Sequence, residues 1–182
     1  MKSVIIYGSH YGHTRSYAEK LSDITGIAVF DHKHCPKDLS SMDLIIYMGG
    51  LYAGGLLGLS NVLRHLPKCC RPPFFIVTVG LADPKDPQNK ANIMSSVSRQ
   101  FGDFMPKKTE FFHLRGGIDY ARLSKGHRFI MSLLYNSIKK KPYEGLSAED
   151  RAVIQTYGEK VDFMDFESLA PISARILQFK CF

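Results

Sequence analysis

No run of about 18 apolar residues occurs in the 182-residue chain, so hydropathy offers no membrane-spanning helix. Nor does a basic and apolar leader precede the first strand, and the expectation is a cytoplasmic protein, membrane-associated at most. Cysteine is scarce: Cys35, Cys69, Cys70 and Cys181 form no CxxC pair and no zinc spacing. That pattern excludes a disulfide framework and a thioredoxin-like redox site, and the adjacent Cys69 and Cys70 read as two free thiols. His32-Lys33-His34-Cys35 has no partner cluster, so it reads as a solvated loop and no metal is expected. Acidic residues are outnumbered, 17 against 24 Lys and Arg, for a net charge of +7. Such a surface favours acidic partners: a small anionic substrate, a membrane face or nucleic acid. Nucleic acid is set aside, because no basic stripe interleaved with aromatics and no recognised binding motif accompanies the charge. Also missing are a Ser/His/Asp or Cys/His array and paired carboxylates. No catalytic residue is therefore named, and the chemistry is expected to belong to a cofactor that the protein positions.

What is present is a folded chain, 45% hydrophobic, without low-complexity tracts or internal repeats and short enough for one core. A single domain over residues 1–182 is expected. Ser3 to Tyr7 reads as a buried parallel strand, and Tyr17, Ala18, Leu21 and Ile24 have helical spacing. Between them lies Gly8-Ser9-His10-Tyr11-Gly12-His13-Thr14. A strand, a glycine-bearing loop and a helix start aim backbone N–H groups and the positive end of a helix dipole at one point, with Ser9 and Thr14 adding hydroxyls. A phosphate suits that point. The loop lacks the GxxxxGK[ST] order of a nucleoside-triphosphatase and the three spaced glycines of a dinucleotide fingerprint.

Further strands are expected at Gly26–Phe30, Asp43–Met48, Phe74–Val79 and Thr109–Leu114. A helix carries Leu59, Val62, Leu63 and Leu66 before Pro67; another carries Met94, Val97, Phe101, Phe104 and Met105 before Pro106. A basic segment over residues 121–141 follows, then a helix opened by a capping box at Ser147–Asp150, with Val153, Tyr157, Val161 and Met164 on its core face. This alternation predicts an α/β, doubly wound, five-stranded parallel sheet with an extra C-terminal helical segment. The order 2-1-3-4-5 is taken by analogy with the flavodoxin-like fold that it resembles. In such a sheet ligands lie beyond the carboxyl ends of the strands, so four loops should converge on one cleft.

Ser9, Gly12 and Thr14 resemble the flavodoxin phosphate loop, roughly [ST]-x-[ST]-G-x-T, with Tyr11 standing where that family has Thr or Ser. The resemblance implies FMN, its phosphate held by Ser9, His10, Tyr11, Gly12, His13 and Thr14. The loop Gly49–Gly55 would approach the ring through Gly50, Leu51, Ala53 and Gly54, with Tyr52 covering a face. Thr78, Val79, Gly80, Leu81, Ala82 and Asp83 would border the pyrimidine edge, although Asp83 reads equally as a helix cap. The turn Arg115-Gly116-Gly117-Ile118-Asp119-Tyr120 would close the cleft, Arg115 facing the flavin or pairing with a carboxylate; Lys85 is a further cation on these loops. Over residues 1–165 the chain looks like the flavodoxin-domain group that includes menaquinone-dependent protoporphyrinogen oxidase. That likeness implies an FMN oxidoreductase exchanging two electrons with a quinone or small anionic substrate. The alternative is a non-catalytic electron-transfer protein with a redox partner protein; loss of FMN is a third reading, motivated by Tyr11.

In the basic segment, Leu123, Phe129, Ile130, Leu133, Leu134 and Ile138 fall broadly on one helical face beside Arg122, Lys125, Arg128 and Lys139 to Lys141. Two readings stand: a peripheral membrane contact, or a helix packed on its own domain or on a second subunit.

Overall fold

The computed structural model describes residues 1–52, 55–67, 72–102 and 105–180. Its main sheet is built from apolar runs. The strands are β1 (Ser3–Gly8), β2 (Val29–Asp31), β3 (Leu44–Tyr52), β5 (Phe74–Gly80) and β6 (Thr109–Arg115). They pair in parallel in the order β2-β1-β3-β5-β6, which is the expected order in five strands. Phe74 to Val77 are buried almost completely, as a strand covered on both faces by helices must be. A short β4 (Gly55–Leu56) turns back antiparallel onto β3.

Helices α1 (His13–Thr25) and α6 (Ala170–Lys180) cover one face, where Ile5, Tyr17, Leu21, Ile46, Val77, Ile172 and Ile176 form a core. On the other face α2 (Leu59–Leu63) and α3 (Pro87–Phe101) close over Ile6, Ile45, Tyr47, Ile76, Ile93 and Val97. Each such side chain, fully buried, stabilises the fold by about 1.5–3 kcal/mol. Beyond the sheet, β7 (Gly117–Asp119) and β8 (Lys160–Asp162) make an antiparallel ribbon, with α4 (Lys125–Ile138) and α5 (Ala148–Thr156) between them. Ile118, Tyr120 and Leu123 form a third, smaller cluster there, against which Tyr11, Met131, Tyr157 and Val161 pack.

Several expectations are corrected. Gly26 does not open a strand: it caps α1 at φ 68° with its N–H donating to the Ser22 carbonyl, so β2 begins three residues later, at Val29. The stretch Gly49–Tyr52 is the extension of β3 and not a loop. Helix α3 ends at Phe101, because Gly102 takes φ 54°, and Met94 faces outward while Asn89, Ile93, Val97 and Phe101 face in. Phe104 lies outside the described residues. The capping box is present, Ser147 and Asp150 each accepting the other's backbone N–H, yet α5 stops at Thr156. Val161 therefore sits on β8, Met164 follows it, and the last core helix is α6.

Candidate functional site

The first loop places its groups through two local devices. Gly12 takes φ 100°, a left-handed conformation open to glycine, and sits at the N-cap of α1 without supplying a side chain to cap it. Ser9 Oγ accepts the Gly12 N–H at 3.1 Å, holding the loop in shape. The first turn of α1 thus faces the cleft with no side-chain cap on its amides. Thr14 is only 4% exposed. A Cβ added at Gly50 would lie 3.3 Å from Thr14 Oγ1, so the glycine leaves that hydroxyl room.

His10 and Tyr11 leave this point for α4. Tyr11 Oη lies 2.5 Å and His10 Nε2 3.0 Å from His127 Nδ1, with Tyr11 packed against the third cluster. Burial, then the neighbouring His127 and Lys33, lower the His10 pKa, so His10 brings no cation to the loop at neutral pH. His13 Nε2 is 4.0 Å from Asp162 Oδ1, and it stands 2.7 Å from where Gly117 would carry a Cβ.

The remaining loops meet the first at the carboxyl edge of the sheet, where Gly8 pairs with Gly49, Gly50 with Val79 and Gly80 with Arg115. Gly50 and Leu51 lie on β3, and Leu51 Cδ1 comes within 2.7 Å of a Cβ placed on Gly80. The Tyr52 side chain, Ala53 and Gly54 lie outside the described residues, as do Cys69, Cys70 and Cys181. Val79 turns its side chain into the core and touches Gly116, leaving only its backbone for the cleft. Asp83 does not cap α3. The cap is Asp86, whose Oδ1 accepts the Gln88 N–H at 2.8 Å and the Asn89 N–H at 3.3 Å, while Asp83 accepts the Lys85 N–H. Lys85 is exposed. Arg115 joins no carboxylate among the described residues and does not point free into the cleft: its Nη2 donates to the Leu81 carbonyl at 3.1 Å, and its guanidinium lies 3.9 Å from the centre of the Phe163 ring.

Two residues of this edge escape sequence reasoning. His113, opposite Thr78 across the β5–β6 pairing, lies 2.8 Å from the Thr78 hydroxyl through Nδ1. Burial, aided by Lys90, lowers its pKa to about 4. Asn89, 1% exposed, donates to the Asp83 carbonyl at 3.0 Å and leaves its Oδ1 without a partner. Both line a shallow crevice with Leu51, Thr78, Gly80 and Ile93. It has no room for a water-sized guest, and none of the Ser9–Thr14 residues lines it. The crevice therefore lies beneath the β5 edge, apart from the start of α1. Among the described residues no His, Cys, Asp and Glu cluster is suited to a metal ion. Register alone would have pointed to His113, given the strand pairing.

A flavodoxin domain family model matches residues 4–144. No curated protein matches the chain. Among solved structures, a Fusobacterium nucleatum flavodoxin bound to flavin mononucleotide is similar at 17% identity and TM-score 0.44, over 65% of this chain and 72% of that one. An archaeal flavodoxin matches at 15% identity and TM-score 0.41, over 64% and 85%. The Trp repressor binding protein of Bacillus subtilis matches at 16% identity and TM-score 0.44, over 63% and 85%.

Proposed function

The chain belongs to the flavodoxin domain family, and from that premise we propose an FMN flavoprotein of electron transfer whose cofactor phosphate rests on the start of α1. The observation that carries this is Thr14, 4% exposed with Gly50 leaving its hydroxyl room, beside a helix N-terminus that no side chain caps. An anion there gains about 0.3–1 kcal/mol from the dipole, up to about 2 where partly buried. Ser9 shapes the loop, the α1 amides and Thr14 bind the phosphate, and Gly50 keeps the approach open. Tyr11, drawn to α4, leaves the phosphate to these groups. Bound FMN would supply two-electron chemistry at its ring, and the Gly80 and Leu81 backbone would border its edge. Arg115, tied to the Leu81 carbonyl, stiffens that border.

The finer reading is an oxidoreductase exchanging electrons with a quinone, with a porphyrinogen as one candidate among small anionic substrates. It is supported by the net charge of +7 and by the β7–β8 ribbon and α4, which extend beyond the five-stranded sheet. Turnover of protoporphyrinogen with a quinone separates it from a carrier that exchanges electrons only with a reductase protein. For the cofactor itself, Thr14→Ala with Ser9→Ala should weaken FMN by roughly 10- to 100-fold, the worth of a hydrogen bond to a charged group, and spare riboflavin. Equal loss of both ligands in a fluorescence titration would refute the phosphate assignment, as would a protein that never takes up flavin colour.

A further inference from the structure

We infer that α4 lies flat in the interface of an anionic lipid bilayer, its outer face inserted among the acyl chains and its flanking cations among the head groups. The helix is fixed to the molecule by one side only. Met131 packs against the third cluster, Ile138 is buried, and Tyr135 stacks on Tyr157 with ring centres 3.9 Å apart. Arg128 Nη2 donates to the Tyr120 carbonyl, and His127 meets Tyr11 and His10. These residues at 127, 131, 135 and 138 form one stripe, so the opposite arc must face outward.

That opposite arc is apolar. Phe129 is 65% exposed, Ile130 49%, Leu133 55% and Leu134 41%, a contiguous patch at helical spacing such as monomeric soluble domains seldom leave bare. The sequence expectation of one continuous face from Leu123 to Ile138 is corrected here, because Leu123 and Ile138 point inward while the four between them point out.

Charge selects the occupant. Residues 121–141 contain six Lys or Arg and no Asp or Glu. Arg122 and Lys125 stand before the patch and Lys140 after it, all exposed, so both ends of a roughly 21 Å helix carry cations beside the apolar arc, while Lys139 lies over the Tyr135 ring. A second copy laid against this face would oppose like charges. An anionic head-group layer above acyl chains complements both the charge and the apolar arc. Among the described residues no helix is long and apolar enough to cross a membrane, consistent with a helix that lies in the plane.

The chain contains no tryptophan, so Phe129→Trp gives a single fluorescent reporter on the patch. With phosphatidylglycerol vesicles the reporter should shift to the blue and the protein should sediment with the lipid; with phosphatidylcholine vesicles binding should be much weaker. Lys125→Gln with Lys140→Gln should weaken partitioning by roughly 30-fold at low salt, the worth of two surface cations. Phe129→Ser with Leu133→Ser should abolish it while circular dichroism stays unchanged, since both side chains are exposed. Failure to bind phosphatidylglycerol vesicles, or binding that the serine pair leaves intact, would overturn the inference. So would a dimer in light scattering that the serine pair dissolves, or an acidic protein that occupies the face in place of lipid. The vesicle assay does not read flavin, so it stands or falls apart from the cofactor proposal.

Discussion

His113 illustrates how one buried residue couples the cleft edge to pH. Its neutral form is held by burial and by the Lys90 charge, with a pKa near 4 in the folded protein against about 6.5 in an unfolded chain. The unfolded state therefore binds more protons between those values, and stability falls as pH drops through that window. Allowing for partial solvent screening, the loss is on the order of 2 kcal/mol. Urea titrations at pH 7 and pH 4.5 should show it, and His113→Gln should flatten that part of the profile. An unchanged pH dependence in the variant would place the acid sensitivity in another group. Asn89, whose Oδ1 lacks a partner beside the same crevice, adds a buried polar group whose desolvation costs about 1–3 kcal/mol.

Elements meet through close contacts that tolerate little change. Gly8 ends β1 under the chain returning from β4, and a Cβ there would fall 1.8 Å from the Leu57 carbonyl oxygen. Tyr47, buried in β3, donates its hydroxyl to that same carbonyl. Gly8→Ala must therefore push the β3–β4 hairpin off the sheet edge, with a cost of about 1–3 kcal/mol or more. Its expected signature is a lowered urea midpoint together with weakened FMN binding, since the hairpin carries Gly50 and Leu51. At α3, Asp86→Ala removes the acceptor for two N–H groups and should destabilise by about 0.5–2 kcal/mol. Asp83→Ala should cost less, because Asp83 caps nothing; a larger loss in chemical denaturation for Asp83 than for Asp86 would contradict the cap assignment.

Across the whole molecule the C-terminal helix is part of the core. Ile172 and Ile176 are 1% and 0% exposed, and Leu169 just before α6 is also 0% exposed. Arg175 adds a bidentate pair to Glu110 on β6, with Nη2 2.7 Å from Oε1, though the pair is partly exposed and contributes little. Ile176→Ala should cost about 2–5 kcal/mol, a large share of the roughly 5–15 kcal/mol that holds a domain together. Net charge acts at the same scale. At +7 the protein's field favours the reduced, more negative flavin. The bound-cofactor midpoint potential should thus lie near or above that of free FMN, and a dye-equilibrated titration giving a value far below it would refute the charge argument.

The amino-acid sequence by itself determined the features that repeat along the chain or sit within a few residues of one another. Apolar runs marked β1, β3, β5 and β6, the 3.6-residue period marked α1 and α3, Ser147 and Asp150 announced their own capping box, and Gly8 to Thr14 announced the turn from β1 into α1. Tertiary structure alone decided what depends on residues far apart. Tyr17 Oη accepts the Asp165 N–H and donates to the Arg115 carbonyl, across separations of 148 and 98 residues; Tyr11 leans to His127 across 116. Neither partner carries a local mark of the other. The same holds for the β7–β8 ribbon, whose strands are three residues each and too short for a periodic signal. It holds too for α4, where periodicity located the amphipathic helix but only packing against Tyr157 and Tyr11 selected the face turned inward. Local patterns come from backbone geometry, which each segment carries with it, whereas side-chain pairing and burial exist only once the chain has closed.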